Sequence, residues 1–212
     1  MAASMYLDVF DRNPYGTNCW LLGAGSSPEA IVVDPGFEPD AVHRLLAKAG
    51  RTPVAVLLTH AHVDHATEAG AFAGADIPVL IHAADAVAYG DPDGWARGPG
   101  SPLTPAATLR TIADGEILRF AGLSVEVLHT PGHTPGHCCF RVDVAVLICS
   151  GDLVFAGTVG RSDFANSDPA AMRASLERFL ELPDELDVLP GHGERTRVGR
   201  ERAVNPFLVE LG

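Results

Sequence analysis

The chain has 212 residues, of which 47% are hydrophobic, and its 15 basic and 27 acidic side chains give a formal net charge of -12 at pH 7. This length and composition are enough for one globular domain with a substantial core. The acidic balance argues against nucleic acid and anionic membranes as partners, so we expect a small-molecule partner.

The start of the chain, MAASMYLDVF, has no basic segment followed by a long apolar run. No window approaches the roughly 18 consecutive apolar residues of a membrane span. We therefore expect neither export nor a membrane anchor. The four cysteines show no CxxC spacing and are typical of buried free thiols in a reducing compartment. These features together predict a cytoplasmic protein.

Taken in chain order, short apolar and β-branched runs bounded by Gly, Pro or Asp predict strands. The runs are MYLDVF, NCWLLGA, AIVVD, VAVLLT, IPVLIH, LSVEVLHT, CCFRVDVAVLIC and LDVLP. Helical spacing of apolar residues predicts helices over residues 39–49 and 169–180, and HATEAGAF predicts another over 65–72. Asp168 is the expected N-cap of the helix over 169–180, and Pro169 its first residue.

Alternating strands and helices predict an α/β layered architecture, in which sheets are covered by helices. Because no low-complexity linker divides the chain, we expect one domain over residues 1–212. The composition shifts only over residues 91–108, which are too rich in Pro and Gly for regular structure. This segment is either a surface loop or a lid over a site, and Trp95 and Arg97 would be the lid side chains that touch substrate.

Three histidines and an aspartate crowd into the segment LLTHAHVDHATE, as His60, His62, Asp64 and His65. The preceding run VAVLLT predicts a buried strand, and ligand sites gather where the strands of open α/β sheets end. Imidazole nitrogen and carboxylate oxygen are ligands that zinc accepts. Four such side chains in one short segment cannot all reach a single ion easily, so two ions sharing the cluster are the better expectation. The alternative is a solvated polar turn.

Two ions need ligands from elsewhere in the chain, and three segments offer them. His133 in VLHTPGHTPGH, Asp152 in LICSGDLVF and His192 in DVLPGHGER each follow an apolar run in a glycine-containing turn. Alone, each would be an ordinary turn residue or a buried histidine. Together with the cluster, they predict a metal site.

The series THAHVDH, His133, Asp152 and His192 resembles the HxHxDH, H, D, H ligand order of the metallo-β-lactamase-fold hydrolases over nearly the whole chain. The resemblance implies a single-domain αβ/βα four-layer sandwich with two divalent metal ions in the cleft at the ends of its sheets. By that match, one ion takes His60, His62 and His133, the other takes Asp64, His65 and His192, and Asp152 bridges them. Zinc is the expected metal, with iron or manganese as alternatives.

The stretches GDLVFAGTVGRSDF, HTPGHTPGH, LPGHGERT and NPFL resemble the short glyoxalase II-like (hydroxyacylglutathione hydrolase-like) proteins. That family hydrolyses S-2-hydroxyacyl glutathione thioesters, with lactoylglutathione as the usual substrate. The resemblance therefore implies a metal-dependent thioester hydrolase that acts through a metal-bridging hydroxide. Asp152 would lie below this hydroxide, and Asp64 would help to orient it.

Arg161, in GRSDF, stands where glyoxalase II enzymes carry a basic residue that contacts the glycine carboxylate of glutathione. The alternative is an ordinary surface arginine. Two departures weaken the expectation of glutathione as the thiol. Asp163 stands where the longer enzymes place a substrate-binding tyrosine, and the chain stops soon after His192, without their C-terminal helical domain.

Asp34, which ends the run AIVVD, is a candidate to orient a metal-bound histidine through that ring's second nitrogen, or else an ordinary turn carboxylate. Two other activities on the same fold stay open. A mono-iron persulfide dioxygenase would hold Fe(II) through His60, His133 and Asp152. A lactonase would apply the same hydroxide to a ring ester. The oligomeric state is not predicted.

Overall fold

The computed structural model describes residues 4–72, 77–91, 104–142 and 146–211. In these ranges the chain forms two six-stranded sheets, a two-stranded ribbon and seven helices. None of the helices in the described ranges is long and apolar enough to cross a bilayer. Most of the segment 91–108, including Trp95 and Arg97, lies outside the described residues, so its role as a lid stays a prediction.

The first sheet comes from the N-terminal half of the chain and has the strand order β1-β2-β3-β4-β5-β6. Its strands are β1 (Met5–Phe10), β2 (Cys19–Ala24), β3 (Glu29–Val33), β4 (Thr52–Leu57), β5 (Val79–His82) and β6 (Leu109–Ile112). Strands β1 to β3 pair antiparallel, and β3 to β6 pair in parallel. The C-terminal parts of β3 and β4 are buried on both faces, which explains their continuous apolar sequences.

The second sheet comes from the C-terminal half and has the order β14-β13-β10-β9-β8-β7. Its strands are β7 (Ile117–Phe120), β8 (Leu123–His129), β9 (Cys138–Val142), β10 (Leu147–Gly151), β13 (Asp187–Pro190) and β14 (Thr196–Arg197). All neighbouring strands pair antiparallel except β10 and β13, which are parallel. A separate ribbon joins β11 (Val154–Phe155) to β12 (Thr158–Val159).

Three apolar clusters separate four layers of structure. The helices are α1 (Pro39–Lys48), α2 (Val63–Ala66), α3 (Ala69–Phe72), α4 (Ala83–Gly90), α5 (Pro169–Leu180), α6 (Val198–Val204) and α7 (Pro206–Val209). The central cluster lies between the two sheets and includes Leu57 and Phe140. Val42 of α1 packs on the outer face of the first sheet, and Phe179 of α5 on the outer face of the second. This αβ/βα sandwich confirms the predicted fold class.

The helix over 169–180 is confirmed at both ends as α5. The Asp168 carboxylate accepts hydrogen bonds from the backbone N–H groups of Ala170 and Ala171, as expected of an N-cap. The helix predicted over 39–49 is present as α1 and ends one residue early, at Lys48.

Two predicted elements are wrong in extent. The helix expected over 65–72 is interrupted, because the chain turns between α2 and α3 and the N–H group of Glu68 donates to the Gly36 carbonyl. The run CCFRVDVAVLIC is not one strand. It forms β9 and β10, which pair antiparallel with Val142 opposite Leu147, so the apolar run packs beside itself in the second sheet.

Both sheets deliver polar side chains to the same end of the molecule. Asp34 follows β3 and His60 follows β4, at the adjacent carboxyl ends of two parallel strands. In the second sheet, His133 follows β8, Asp152 follows β10 and His192 follows β13. The carboxyl ends of strands are where α/β proteins place their ligand sites.

Candidate metal centre

The local course of the chain spreads the side chains of the HxHxDH segment. After β4 ends at Leu57, the chain bends at Thr59 and reaches His62, which precedes α2 in an extended conformation with φ -61° and ψ 146°. Asp64 and His65 then lie in the only turn of α2. The change from extended to helical backbone directs four close neighbours in sequence toward two neighbouring positions in space.

One group of nitrogen atoms comes from His60, His62 and His133. Nδ1 of His62 lies 3.0 Å from Nε2 of His60 and 2.8 Å from Nε2 of His133. His60 and His133 are buried, and His62 is partly buried. The loop after β8 therefore completes a three-histidine set that begins at the end of β4.

A second group comes from Asp64, His65 and His192. Oδ2 of Asp64 lies 3.2 Å from Nε2 of His192 and 3.4 Å from Nε2 of His65. The two Nε2 atoms are 3.3 Å apart. Gly191, just before His192, is a glycine because a Cβ there would collide with the carboxylate of Asp152 and the ring of His65.

Asp152 lies between the two groups. Its Oδ1 is 3.4 Å from Nε2 of His65, and its Oδ2 is 3.5 Å from Nε2 of His133 and 3.7 Å from Nε2 of His192. The structure thus brings together all seven predicted ligands. The sets of three that the resemblance implies are also the sets that lie close together.

Hydrogen bonds at the far side of each ring select which nitrogen faces the cluster. Thr59 Oγ1 donates to Oδ2 of Asp34 at 2.6 Å, so it must accept from Nδ1 of His60 at 3.0 Å. Nδ1 of His65 donates to the same Asp34 oxygen at 2.9 Å. Nδ1 of His133 donates to the carbonyl oxygen of Arg161 at 2.7 Å. In all three rings Nδ1 donates to a partner outside the cluster, so Nε2 is the nitrogen that points into it.

This arrangement fits metal ions. A proton on Nδ1 of His62 can lie in only one of its contacts at 3.0 and 2.8 Å, so the other contact brings two nitrogen lone pairs together unless a cation lies between them. Tetrahedral zinc with Zn–N bonds of about 2.0 Å would itself separate two nitrogens by about 3.3 Å. Oδ1 of Asp152 is buried and accepts no hydrogen bond from the described residues, which leaves a carboxylate lone pair to bind a metal ion.

The two groups differ in charge. Burial opposes a charge on His65, but the carboxylates of Asp64, Asp152 and Asp34 outweigh burial and raise the pKa of His65 to about 10. In the other group, burial and then the neighbouring His133 lower the pKa of His62 to about 3. The carboxylate-rich group therefore needs positive charge, whereas the three-histidine group offers neutral nitrogen donors.

Asp34 and Arg161, the other two predicted site residues, lie beside the cluster in different ways. Asp34 is buried and contacts His65 directly, as described above. The Arg161 side chain is 67% exposed and forms an ion pair with Asp163 through contacts of 2.8 and 3.0 Å. Only the backbone carbonyl of Arg161 reaches the cluster, at His133.

The structure adds residues that the sequence did not assign to the site. Nε2 of the buried His137 accepts a hydrogen bond from the backbone N–H of Asp152 at 3.0 Å. The ring of Phe164 lies 5.4 Å from that of His62 and 5.8 Å from that of His133, and the Arg161 guanidinium stacks 4.5 Å above it. The sequence signal for both was proximity to predicted site residues in HTPGHTPGH and GRSDF.

Comparisons with known proteins identify the relatives of this chain. A model described as "Metallo-beta-lactamase superfamily" matches residues 12–192. "Probable metallo-hydrolase YqgX" of Bacillus subtilis (strain 168) is 38% identical over 194 residues, which cover 86% of this chain and 89% of that protein. Hydroxyacylglutathione hydrolase GloC of Haemophilus influenzae is 30% identical over 216 residues, which cover 96% of this chain and 98% of that protein.

Solved structures share the fold over nearly the whole chain. BLEG-1 B3 metallo-beta-lactamase has a TM-score of 0.86 and 33% identity, covering 96% of this chain and 99% of that one. TTHA1623, solved in a di-iron-bound form, has a TM-score of 0.80 and 38% identity, covering 96% and 100%. ETHE1 from Myxococcus xanthus has a TM-score of 0.77 and 25% identity, covering 95% and 83%. On these grounds, the chain belongs to the metallo-beta-lactamase superfamily.

Proposed function

We propose that this protein is a metal-dependent thioester hydrolase of the glyoxalase II type, which cleaves S-2-hydroxyacyl glutathione, such as lactoylglutathione, or the ester of a related thiol. The observation that carries the hydrolase is the convergence of seven histidine and aspartate side chains into two adjoining ligand sets. The substrate class rests on the similarity to GloC, which spans almost the full length of both chains.

This similarity bears on the main objection to glutathione. The longer glyoxalase II enzymes use a C-terminal domain with no counterpart among these 212 residues, but the alignment with GloC, a hydroxyacylglutathione hydrolase, spans 98% of GloC. A chain of this length is therefore compatible with the proposed substrate.

In this proposal, His60, His62 and His133 would hold one divalent ion, and Asp64, His65 and His192 would hold the second, with Asp152 between them. Zinc is the first choice, and iron or manganese would also accept these ligands. When bound, such ions supply an activated water at neutral pH and a Lewis acid for a carbonyl oxygen.

The protein's own groups complete the reaction. The carboxylate of Asp64 lies against His65 and His192, and that of Asp152 lies between the two ligand sets, where they can accept and hold the proton of an attacking water. A thiol with a pKa of about 8.5 leaves as the thiolate, so the reaction needs no general acid for the leaving group. Phe164 provides an apolar surface beside His62 and His133.

Arg161 is the proposed contact for a carboxylate of the thiol carrier. Its guanidinium is largely exposed and is held over the Phe164 ring, next to the cluster. Because Asp163 pairs with it, a substrate carboxylate would have to displace or share that partner.

β-Lactam hydrolysis is a second candidate, favoured by the similarity to BLEG-1 B3 metallo-beta-lactamase. It would use the same ligands on a ring amide. Persulfide dioxygenation is less well supported, because it would employ only His60, His133 and Asp152. Nδ1 of His62 lies within 3.0 Å of a nitrogen from each of the two histidines in that set, which supports a fuller ligand set.

The proposal is tested by offering three substrates to protein loaded with Zn²⁺ and, separately, with Fe²⁺. S-lactoylglutathione is followed by thiol release, a chromogenic cephalosporin by ring opening, and glutathione persulfide by oxygen uptake. We expect turnover of the thioester only, and none by an Asp152→Ala control. Turnover of the cephalosporin or oxygen uptake, without thioester cleavage, would replace the proposed function by the corresponding alternative.

A further inference from the structure

Asp85 is a buried carboxylate that the metal cluster does not include. It lies in the first turn of α4, directly after β5, and has no exposed surface. Its Oδ2 accepts hydrogen bonds from the backbone N–H of Ala61 at 3.0 Å and from Oγ1 of Thr134 at 2.7 Å. Its Oδ1 accepts from the backbone N–H of Gly136 at 2.6 Å. One carboxylate thus accepts three hydrogen bonds from two separate loops.

These two loops carry one complete set of the proposed metal ligands. Ala61 is the residue between His60 and His62, and Thr134 directly follows His133. We propose that Asp85 is a positioning residue, which ties these loops together and thereby sets the affinity of the three-histidine set for its metal ion. The inference rests on the metal centre of the proposed function but not on the identity of the substrate.

The burial of the Asp85 carboxylate costs free energy, which its three hydrogen bonds offset. Burial raises the pKa of its carboxyl group, and the hydrogen bonds from Thr134, Ala61 and Gly136 act in the opposite direction. Two of the three donors are backbone N–H groups, which an apolar residue at position 85 would leave buried and unpaired. The carboxylate of Asp85 therefore satisfies the buried donors of both loops and allows the loops to pack against it.

Gly136 shows how closely the loops approach. A Cβ at this position would lie 2.6 Å from the backbone nitrogen of Asp85 and 2.7 Å from its Oδ1. Its φ angle is not in the left-handed region, so the glycine is required for space and not for backbone conformation. Gly136→Ala would consequently push the His133 loop away from Asp85 without removing any polar group.

The other ligand set has a separate support. Asp34 contacts Nδ1 of His65 directly, whereas no hydrogen bond joins Asp85 to a ring nitrogen among the described residues. Asp34 also reaches His60 through Thr59, whereas the hydrogen bonds of Asp85 go to Ala61, Thr134 and Gly136, on the loops of the three-histidine set. Loss of Asp85 should weaken one half selectively.

The test is a metal titration of the full-length apoprotein with Zn²⁺ against a chromogenic chelator, which resolves two binding steps without using any thioester. In Asp85→Asn we expect one step to weaken by about 10–100-fold, as for other residues that orient metal ligands. The second step should change by no more than about twofold, because the hydrogen bonds of Asp85 do not go to Asp64, His65 or His192. Gly136→Ala should weaken the same step.

Glu201→Gln is the matched control. Glu201 is also fully buried and accepts hydrogen bonds from the backbone N–H of Gly157 at 2.8 Å and from Nδ2 of Asn205 at 3.0 Å, away from the cluster. We expect it to lower the melting temperature while both binding steps stay as in the wild type. Equal weakening of both steps by Asp85→Asn, or the same weakening by Glu201→Gln, would show a merely structural effect and overturn the proposal.

Two further variants identify the affected half and guard against misfolding. Asp85→Asn should weaken Zn²⁺ binding further in a His192→Ala background, which keeps the three-histidine set, but not in a His62→Ala background. If Asp85→Asn does not fold, Thr134→Val removes one of the three donors and keeps the carboxylate, and a smaller loss at the same step is expected. Wild-type binding in Thr134→Val and Gly136→Ala would overturn the proposal. The expected changes in Zn²⁺ binding do not depend on whether the protein cleaves thioesters.

Discussion

Nδ1 of His62 lies 2.8 Å from Nε2 of His133, although the two histidines belong to loops that leave different sheets. The backbone carbonyl of Arg161 accepts the Nδ1–H of His133, so Nε2 of His133 faces His62, as does Nε2 of His60 at 3.0 Å. A proton on Nδ1 of His62 can lie in only one of these two contacts, and the contact without a proton is unfavourable in the protein alone and favourable around a cation. It is the most direct indication that the folded chain is built to hold metal.

Removal of a ligand should abolish both metal binding and hydrolysis. We expect His62→Ala or Asp152→Ala to lower kcat/KM for the thioester by at least about 10³-fold, equivalent to about 4 kcal/mol of transition-state stabilisation. Bound metal, measured by elemental analysis after dialysis, should fall as well. His43→Ala is the control, because His43 is exposed on α1 and stacks only on Phe72 among the described rings. Full activity of either ligand variant would contradict the assignment.

Asp34 should support metal binding without touching the metal. Its carboxylate accepts from the N–H and Oγ1 of Thr59 and from Nδ1 of His65, so an amide in its place would lose one of these contacts. Asp34→Asn is expected to lower metal affinity by about 10–100-fold. Competition with a chelator measures this loss, with Asp40→Asn on the exposed side of α1 as the control. An affinity equal to that of Asp40→Asn would leave Asp34 as an ordinary turn carboxylate.

Arg161 should act on substrate binding and not on the chemical step. Arg161→Ala keeps the backbone carbonyl that accepts from His133, so we expect KM for S-lactoylglutathione to rise about tenfold, or about 1.4 kcal/mol, with kcat unchanged. Asp163→Asn should lower KM, because it frees the guanidinium. Arg197→Ala is the matched control, because Arg197 forms a similar exposed ion pair with Asp187. Equal KM values in Arg161→Ala and Arg197→Ala would remove Arg161 from the site.

His82 should make the stability of the fold depend on pH. Its Nδ1 caps α4 by accepting from the N–H of Ala84, and its ring stacks 3.9 Å from that of His129. Burial and then His129 lower the pKa of His82 below its ordinary value, although Asp114 opposes them. The folded protein therefore binds this proton less readily than the unfolded chain. Its free energy of unfolding should fall as pH drops below about 6.5 and be insensitive to His82 above that pH.

The comparison that isolates this effect is with His82→Asn, which keeps a capping acceptor and does not titrate. Urea unfolding of both metal-free proteins between about pH 7.5 and 5.5 should show the wild type losing stability relative to the variant as the pH falls. Titration of the cluster histidines is common to both proteins and cancels. A difference that stays constant over this range, or changes in the opposite direction, would refute the prediction.

The convergence of the seven side chains could be predicted from the sequence because the signals for it are local. THAHVDH places four side chains around one change of backbone conformation, and the remaining three follow apolar runs in glycine turns, so each segment is visible on its own. The alternation of strands and helices predicted an α/β layered architecture, and the resemblance of the ligand series implied its four-layer form. The strands β6 and β7 were not predicted, because LRTI and ILRF expose half or more of their residues and carry no continuous apolar run.

Asp85 and His137 could not be assigned in the same way. The partners of Asp85 include the backbone N–H groups of Ala61 and Gly136, and the partner of His137 is the N–H of Asp152. Every non-proline residue has a backbone N–H group, so the sequence does not indicate which of these groups donates to a buried side chain. Only the three-dimensional packing of the loops shows which aspartate and which histidine accept these hydrogen bonds.

The most direct test of the account is a titration of metal-free protein with Zn²⁺ while thiol release from S-lactoylglutathione is measured. We expect activity to rise until two ions are bound per chain and to reach a kcat/KM of about 10⁴ M⁻¹s⁻¹ or above, the lower end of typical enzymes. Negligible thiol release from protein that has bound both ions would contradict a glyoxalase II-like function, while leaving the metal centre in place for another reaction.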